Sequence, residues 1–263
     1  MLGYIDLHNH ILHNIDDGPA TLNESVLLAR AMVEAGYSTV VVTPHVVEGE
    51  PSPQIIQQRL KELQQELDRQ NISLTLLPGA EHHIEPRILE RLQKDQSLTL
   101  AGSRYLLFEL PFNQPLPIYT EQLISTLIES GYQPIIPHPE RAAALQNDYG
   151  LIYHLCRLGA IYQLTWGALT GRLGPRPEKT ARHIIKAKLA HLFATDAHNF
   201  AGRLQEVEKA TTRLADLLGS DNAATFLIER PLAVINNQPL NLEPAGKPLP
   251  PGRKKFTFFK RLL

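Results

Sequence analysis

His8 and His10 stand two residues apart in the run Asp6-Leu7-His8-Asn9-His10. On an extended strand such residues share a face, so both imidazoles can reach one ion. Asp196 and His198 repeat the spacing in Thr195-Asp196-Ala197-His198. Further groups of the same chemistry follow short apolar runs. His45 follows Thr43-Pro44, Glu81 follows Gly79-Ala80, Glu109 ends a run at Phe108, and His138 opens His138-Pro139-Glu140-Arg141. Neutral imidazoles and ionised carboxylates bind Zn²⁺, Mn²⁺ or Fe²⁺ well, and a carboxylate can bridge two ions. Taken singly, each is an ordinary residue: a lone histidine after a strand is usually a hydrogen-bonded structural group, and Asp16-Asp17-Gly18-Pro19 is an ordinary turn. His82, His83, His154, His183 and His191 fit that ordinary role. The recurrence of a ligand type after nearly every run favours a metal centre.

Two arginines fit the same chemistry. Arg141 lies three residues after His138, and Arg203 five after His198. A guanidinium in a rim loop can grip a phosphate through two parallel hydrogen bonds. A surface ion pair is the ordinary alternative for each. Cysteine-based phosphate chemistry is disfavoured. The single cysteine, Cys156, lies in Tyr153-His154-Leu155-Cys156-Arg157-Leu158-Gly159. That is an amphipathic helix rather than an anion-binding loop.

The elements that must position these groups alternate. Apolar runs at Tyr4 to His8, Thr39 to Thr43, Ser73 to Pro78, Tyr105 to Leu110, Gln133 to Pro137, Ala160 to Leu164 and Ala190 to Thr195 read as strands. Amphipathic stretches at Thr21 to Ala35, Ser52 to Gln70, Tyr119 to Ser130, Leu151 to Leu158, Glu178 to Lys188 and Gly202 to Leu218 read as helices. Thr21 and Glu24 form the signature of a capping box. About seven strand–helix repeats are close to the eight of a (β/α)₈ barrel, and a doubly wound sheet is the alternative. Barrel sites gather at the C-terminal ends of the strands, where these side chains would converge.

Composition sets the remaining bounds. The net charge of −1 offers no field for nucleic acid, and one cysteine excludes an intrachain disulfide framework. No run approaches the roughly 20 apolar residues of a membrane span, and the start lacks the pattern of a secretory signal, so a cytoplasmic location is expected. Residues 1–238 read as one catalytic barrel domain. Residues 239–263 read as a Pro-rich linker and tail, in which Arg253 to Leu263 carries five basic residues, three Phe and no acid. That tail is either a solvated end or a docking segment for an anionic membrane surface or a partner protein.

In family order, the motifs Asp6-Leu7-His8-Asn9-His10, Asp16-Asp17-Gly18-Pro19, Thr43-Pro44-His45, Gly79-Ala80-Glu81, Phe108-Glu109, His138-Pro139-Glu140-Arg141 and Thr195-Asp196-Ala197-His198 resemble the polymerase and histidinol phosphatase (PHP) superfamily. Within it the chain is similar to the bacterial tyrosine-protein phosphatases of capsule and exopolysaccharide synthesis. The resemblance implies an α/β fold, a distorted (β/α)7 TIM-like barrel, with three divalent ions; manganese is expected, with iron, cobalt or zinc as alternatives. It implies that His8, His10, Glu81 and Asp196 hold one ion, that Glu81, Glu109 and His138 hold a second, and that Asp17, His45 and His198 hold a third. Asp16 stays open as the alternative to Asp17. Arg141 and Arg203 match the phosphate-gripping arginines, and Asp6 is left to orient an imidazole. The implied reaction is attack of a metal-bridging hydroxide on phosphotyrosine, the implied partner a tyrosine kinase controlling polysaccharide export. A small-molecule phosphoesterase of the histidinol-phosphatase type and a non-catalytic regulator are the competing expectations.

Overall fold

The computed structural model describes residues 3–200, 206–218 and 223–242. Nine parallel strands form in chain order: β1 (Tyr4–Asn9), β2 (Tyr37–Val42), β3 (His45–Val46), β4 (Thr75–Pro78), β5 (Glu81–His83), β6 (Tyr105–Glu109), β7 (Gln133–Pro137), β8 (Ile161–Thr165) and β9 (Leu192–Ala194). They pair as a three-stranded sheet, β1-β2-β4, and a six-stranded sheet, β3-β5-β6-β7-β8-β9. β3 continues β2 after Thr43-Pro44, where proline has no N–H for the ladder. β5 continues β4 after Gly79-Ala80. A Cβ on Gly79 would lie 2.7 Å from the Val41 side chain, so only glycine lets the strand pass so close. The nine segments therefore occupy seven positions, as the repeat count predicts.

The last position meets the first. Asp196 donates its amide to the His8 carbonyl at 3.0 Å, and His10 donates to that of Ala197 at 2.9 Å. On the other side of the ring β4 and β6 do not pair; the 3₁₀ turn Leu100–Gly102 packs there and sends Leu100 into the interior. This is the distortion in an otherwise TIM-like (β/α)7 barrel.

Helices α1 (Leu22–Glu34), α2 (Pro53–Arg69), α3 (Ile88–Gln93), α4 (Thr120–Glu129), α5 (Ala143–Asn147), α6 (Tyr149–Arg157), α7 (Trp166–Leu169), α8 (Pro175–Lys186), α9 (Glu206–Leu218) and α10 (Arg230–Ile235) complete the described elements, with a 3₁₀ turn at Pro139–Arg141 and a π-helical turn at Thr225–Glu229. The start expected at Gly202 for α9 lies outside the described residues. The α1 cap differs from the expected box. Thr21 Oγ1 accepts from Glu24 N at 3.3 Å, but the Glu24 carboxylate takes the amide of Ala20, at 2.7 Å, rather than that of Thr21.

Alternation divides the core. Ile5, Leu7, Val41, Tyr105, Leu107, Ile135, Ile161 and Leu192 face inward and form an apolar plug, closed from below by Val234 of α10. Leu240 and Leu242 also pack on it, so packing runs past Gln238. The intervening residues, such as Val40, Val42, Leu106, Phe108 and Ile136, face the helices. Each fully buried aliphatic side chain contributes roughly 1.5–3 kcal/mol. The plug thus sets a stable floor under a polar mouth.

Candidate metal centre

Strand parity alone would put His8 and His10 on the wrong side of β1. Ile5 and Leu7 point inward, so even-numbered residues should face the helices. The register against β2 slips between Asp6 and Asn9: Asp6 pairs with Val40 and Asn9 with Val42. The extra residue is a β-bulge, which exchanges the two faces beyond it. Asn9 consequently turns outward, its amide meeting Met32 of α1, while His8 meets the inward-facing Gln163 of β8.

Four of the expected groups converge beside that bulge. His8 Nε2 and His10 Nε2 are 3.1 Å apart. Glu81 Oε2 lies 3.2 Å from the first and 3.3 Å from the second, and Asp196 Oδ1 lies 3.6 Å from each. A second group adjoins it: His138 Nε2 is 2.7 Å from Glu81 Oε1 and 4.0 Å from Glu109 Oε2. In a third, Asp17 Oδ1 is 3.2 Å from His198 Nε2 and 3.6 Å from His45 Nε2. The His198 ring stacks on His10 at 4.0 Å between centroids. His138 and Asp196 have φ of 34° and 52°. Left-handed backbone is uncommon outside glycine, and here it turns both side chains across the mouth.

The supporting hydrogen bonds assign the two adjacent aspartates different places. Asp16 Oδ2 accepts from His10 Nδ1 at 2.8 Å and from His45 N at 3.1 Å, while Oδ1 accepts from Gly18 N at 2.9 Å. Asp17 alone faces His45 and His198. Gly18 permits this loop, since a Cβ there would collide with the His10 carbonyl and the Asp16 carboxylate. Asp6 corrects the sequence reading. It makes no hydrogen bond to an imidazole among the described residues; it accepts from Thr195 N and Asn9 Nδ2, both at 3.0 Å, and from the Thr195 hydroxyl. It fastens β1 to the end of β9 and so places Asp196. The imidazole of His8 is oriented instead by Gln163 Oε1 at 3.0 Å, a residue the sequence reading missed. An inward-facing polar residue two positions after the plug residue Ile161 was its only signal.

Arg141 Nη1 donates to Asp196 Oδ2 at 3.2 Å, and its guanidinium sits 4.1 Å above the Phe112 ring. Arg203 lies outside the described residues. Glu140 of the same turn is buried, and its Oε1 accepts from the Thr165 amide and hydroxyl at 3.0 and 2.7 Å, which pins the turn to β8. His83 is hydrogen-bonded, as the ordinary expectation has it, but to the expected ligand Glu109, at 2.6 Å from Oε1. His82, by contrast, is buried on the Leu98 carbonyl. Cys156 lies on α6, half-buried, and burial pushes its thiol pKa up, opposite to what a nucleophile needs.

The electrostatics describe a cation trap. Burial by itself would lower His10, but Asp16 and Glu81 outweigh it and push the pKa up to about 10. Burial would likewise raise Glu81, yet the surrounding imidazoles hold it well below the usual carboxylate range. Asp16 accepts from His10 Nδ1 and Gln163 Oε1 from His8 Nδ1, which turns both Nε2 atoms towards each other and Glu81, where the carboxylates would hold either a proton or a divalent cation. Glu81 Oε2 and His45 Nδ1 are buried without a well-formed hydrogen bond although 3.0 Å apart. Acceptors so placed need positive charge between them, which divalent ions supply.

The model of the CpsB/CapC family of capsular polysaccharide synthesis matches residues 4–236. The chain belongs to this family. Tyrosine-protein phosphatase YwqE of Bacillus subtilis is 35% identical over 258 residues, 97% of this chain and 100% of that protein. Tyrosine-protein phosphatase CpsB of Streptococcus pneumoniae is 28% identical over 242 residues, 89% of this chain and 99% of its own. A crystal structure from work on these two proteins, described there as unique metal-dependent tyrosine phosphatases, superposes with a TM-score of 0.87 at 34% identity. It covers 92% of this chain and 98% of that one.

Proposed function

We propose that this CpsB/CapC-family chain is a metal-dependent protein-tyrosine phosphatase. The observation that carries this reading is the convergence of Glu81, Glu109, Asp17 and Asp196 with five imidazoles beside Arg141, in a chain that matches YwqE over its full length. The donor set fits three divalent ions, manganese the expected species. His8, His10, Glu81 and Asp196 would hold the first, Glu81, Glu109 and His138 the second, and Asp17, His45 and His198 the third. Bound there, the ions would supply an acidified water as nucleophile and positive charge beside the phosphoryl oxygens.

The chain's own groups do the rest. Arg141, seated on Phe112 and tethered to Asp196, offers donors to a phosphoryl oxygen and offsets charge that grows in the transition state. Arg203 is proposed as its companion. Asp16 and Gln163 hold two imidazoles by their outer nitrogens, so that a divalent ion would displace only the proton at each inward nitrogen. Phenol, with an unperturbed pKa of roughly 10, leaves more readily than an alcohol, which favours phosphotyrosine over phosphoserine. The relatives' names support a phosphotyrosyl protein as substrate and the family description a link to capsular polysaccharide synthesis; the phosphorylated tail of a tyrosine kinase controlling polysaccharide export is the substrate we propose.

A turnover panel tests this. With Mn²⁺, a phosphotyrosyl peptide should be hydrolysed in preference to a phosphoseryl peptide and histidinol phosphate. Preference for histidinol phosphate would overturn the assignment, and absence of turnover with any divalent metal would favour a regulator. The basic and aromatic segment Arg253 to Leu263, outside the described residues, is proposed to hold the enzyme at an anionic membrane. No described helix is long and apolar enough to cross one. Deleting residues 253–263 should abolish vesicle binding and leave hydrolysis of a small ester intact; unchanged vesicle binding refutes the docking role.

A further inference from the structure

Beside the carboxylate and imidazole groups opens a cleft of about 590 Å³. His45, His83 and Glu109 lie on the side nearest the candidate centre, and Ile84, Phe112, Pro117 and Tyr119 are among its apolar walls. The far wall is the segment between β6 and α4, which carries Pro111, Pro115 and Pro117. Proline fixes φ, so this wall is stiff. It is also fastened at two points. Ala143 N donates to the Phe112 carbonyl at 2.7 Å, and the Tyr119 hydroxyl donates to the Ile84 carbonyl at 3.2 Å. The cleft is therefore shaped before any ligand arrives. Ile118, between Pro117 and Tyr119, is 100% exposed. Phe112 joins the cleft to the polar groups: its ring lies 4.1 Å from the Arg141 guanidinium and 5.2 Å, edge to face, from the His138 ring.

A phosphate ester bound at Arg141 must send its organic group away from the buried carboxylates, and the adjoining cleft presents ring and proline surface to it. An alkyl group would leave most of that surface wet, whereas an aromatic ring covers it. We propose that this cleft is an aryl subsite that receives the tyrosyl ring of a phosphotyrosyl peptide, with Tyr119 as a specificity-determining wall and Phe112 as the positioning residue that seats Arg141. The proposal rests on the phosphatase reading and adds to it the part of the chain that selects the ester. Ile118 then meets an apolar residue flanking the phosphotyrosine.

Two phosphonates that cannot be hydrolysed separate the ring from the anion. Calorimetric titration with Mn²⁺ present should show wild-type protein binding phenylphosphonate about tenfold tighter than methylphosphonate, the scale of one well-packed ring. Tyr119→Ala should shrink that ratio to within about threefold by weakening phenylphosphonate alone. Its methylphosphonate affinity, equal to wild type, shows that fold and centre are intact. Tyr119→Phe loses the bond to Ile84 but keeps the ring and the Ala143–Phe112 fastening, so it should keep most of the ratio, and Phe112→Leu should weaken both ligands because Arg141 loses its seat. A wild-type ratio near one, an unchanged ratio in Tyr119→Ala, or equal losses for both ligands there would overturn the aryl subsite. Failure of wild-type protein to hydrolyse a phosphotyrosyl peptide is a separate outcome, which strikes the phosphatase reading itself.

Discussion

Asp16→Asn and Asp17→Asn change neighbouring carboxylates and should fail in different ways. Asp16 takes three hydrogen bonds, from His10 Nδ1, His45 N and Gly18 N. An asparagine in the same place keeps one acceptor oxygen and turns the other position into an NH₂ donor. If the oxygen stays on Gly18 N, the NH₂ group confronts the His10 Nδ1 proton. The imidazole then escapes the clash by moving its proton to Nε2. That nitrogen is 3.3 Å from Glu81 Oε2 and 3.6 Å from Asp196 Oδ1, where a lone pair is wanted. If the amide flips, Gly18 N loses its partner and the loop carrying Asp17 loosens. Loss of such an orienting partner costs about 10–100-fold in metal affinity, or about 1.4–2.7 kcal/mol. Asp16→Asn should therefore bind the same number of Mn²⁺ ions as wild type, one of them about 10–100-fold more weakly, with activity restored by excess metal. Asp17→Asn should lose one ion outright and resist rescue. Chelator-competition titration, with activity followed against free Mn²⁺, reads both. Wild-type stoichiometry and affinity in Asp17→Asn, or loss of an ion in Asp16→Asn, would refute the division of roles.

Arg141→Ala should lower kcat/KM for a phosphotyrosyl peptide by about 10²–10³-fold without changing metal content, and Arg141→Lys should recover less than about tenfold of this, since an ammonium can neither bond bidentately nor stack on Phe112. Metal-replete steady-state kinetics check it, and a lysine variant at wild-type rate would contradict it. Cys156→Ser should retain most activity; near-complete loss would point to a thiolate mechanism. His191 is buried, its Nδ1 accepts from Tyr162 N at 2.9 Å, and burial with Arg230 nearby pushes its pKa down to about 3. The unfolded chain takes up this proton below about pH 6.5 while the folded chain refuses it, so stability falls on acidification from 6.5 towards 3. Between pH 6.5 and 5 the loss is about 1.6 kcal/mol. Urea midpoints at these two pH values should fall further for wild type than for His191→Asn, and parallel falls would remove His191 as the cause.

Much of this architecture was legible because the strands are short, apolar and each followed by a turn. Tyr105 to Glu109 and Gln133 to Pro137 were readable almost to the residue. The breaks that make nine segments from seven were not. Pro44 and Gly79 signal interruption, but only neighbouring strands decide that pairing resumes beyond them. The β1 bulge was hidden for a related reason. His8-x-His10 establishes a shared face, while which face depends on the register against β2. Asp6 misled because a buried carboxylate beside a ligand pair usually orients an imidazole, and here closure onto Thr195 claims it. Gln163 and Phe112 act through contacts with residues far away in sequence, His8 and Arg141, so no local pattern marked them. His83 resembled an ordinary strand-end histidine until Glu109 was placed beside it.

Glu81 is the group on which the proposed centre turns, since it faces His8 and His10 with one oxygen and His138 with the other. Elemental analysis of protein purified without chelator and saturated with Mn²⁺, for wild type and Glu81→Gln, tests this most directly. Three ions per wild-type chain, falling to one in the variant with loss of phosphotyrosine hydrolysis, is the predicted result. No bound metal in the wild type, or three ions still held by an active Glu81→Gln protein, would contradict it.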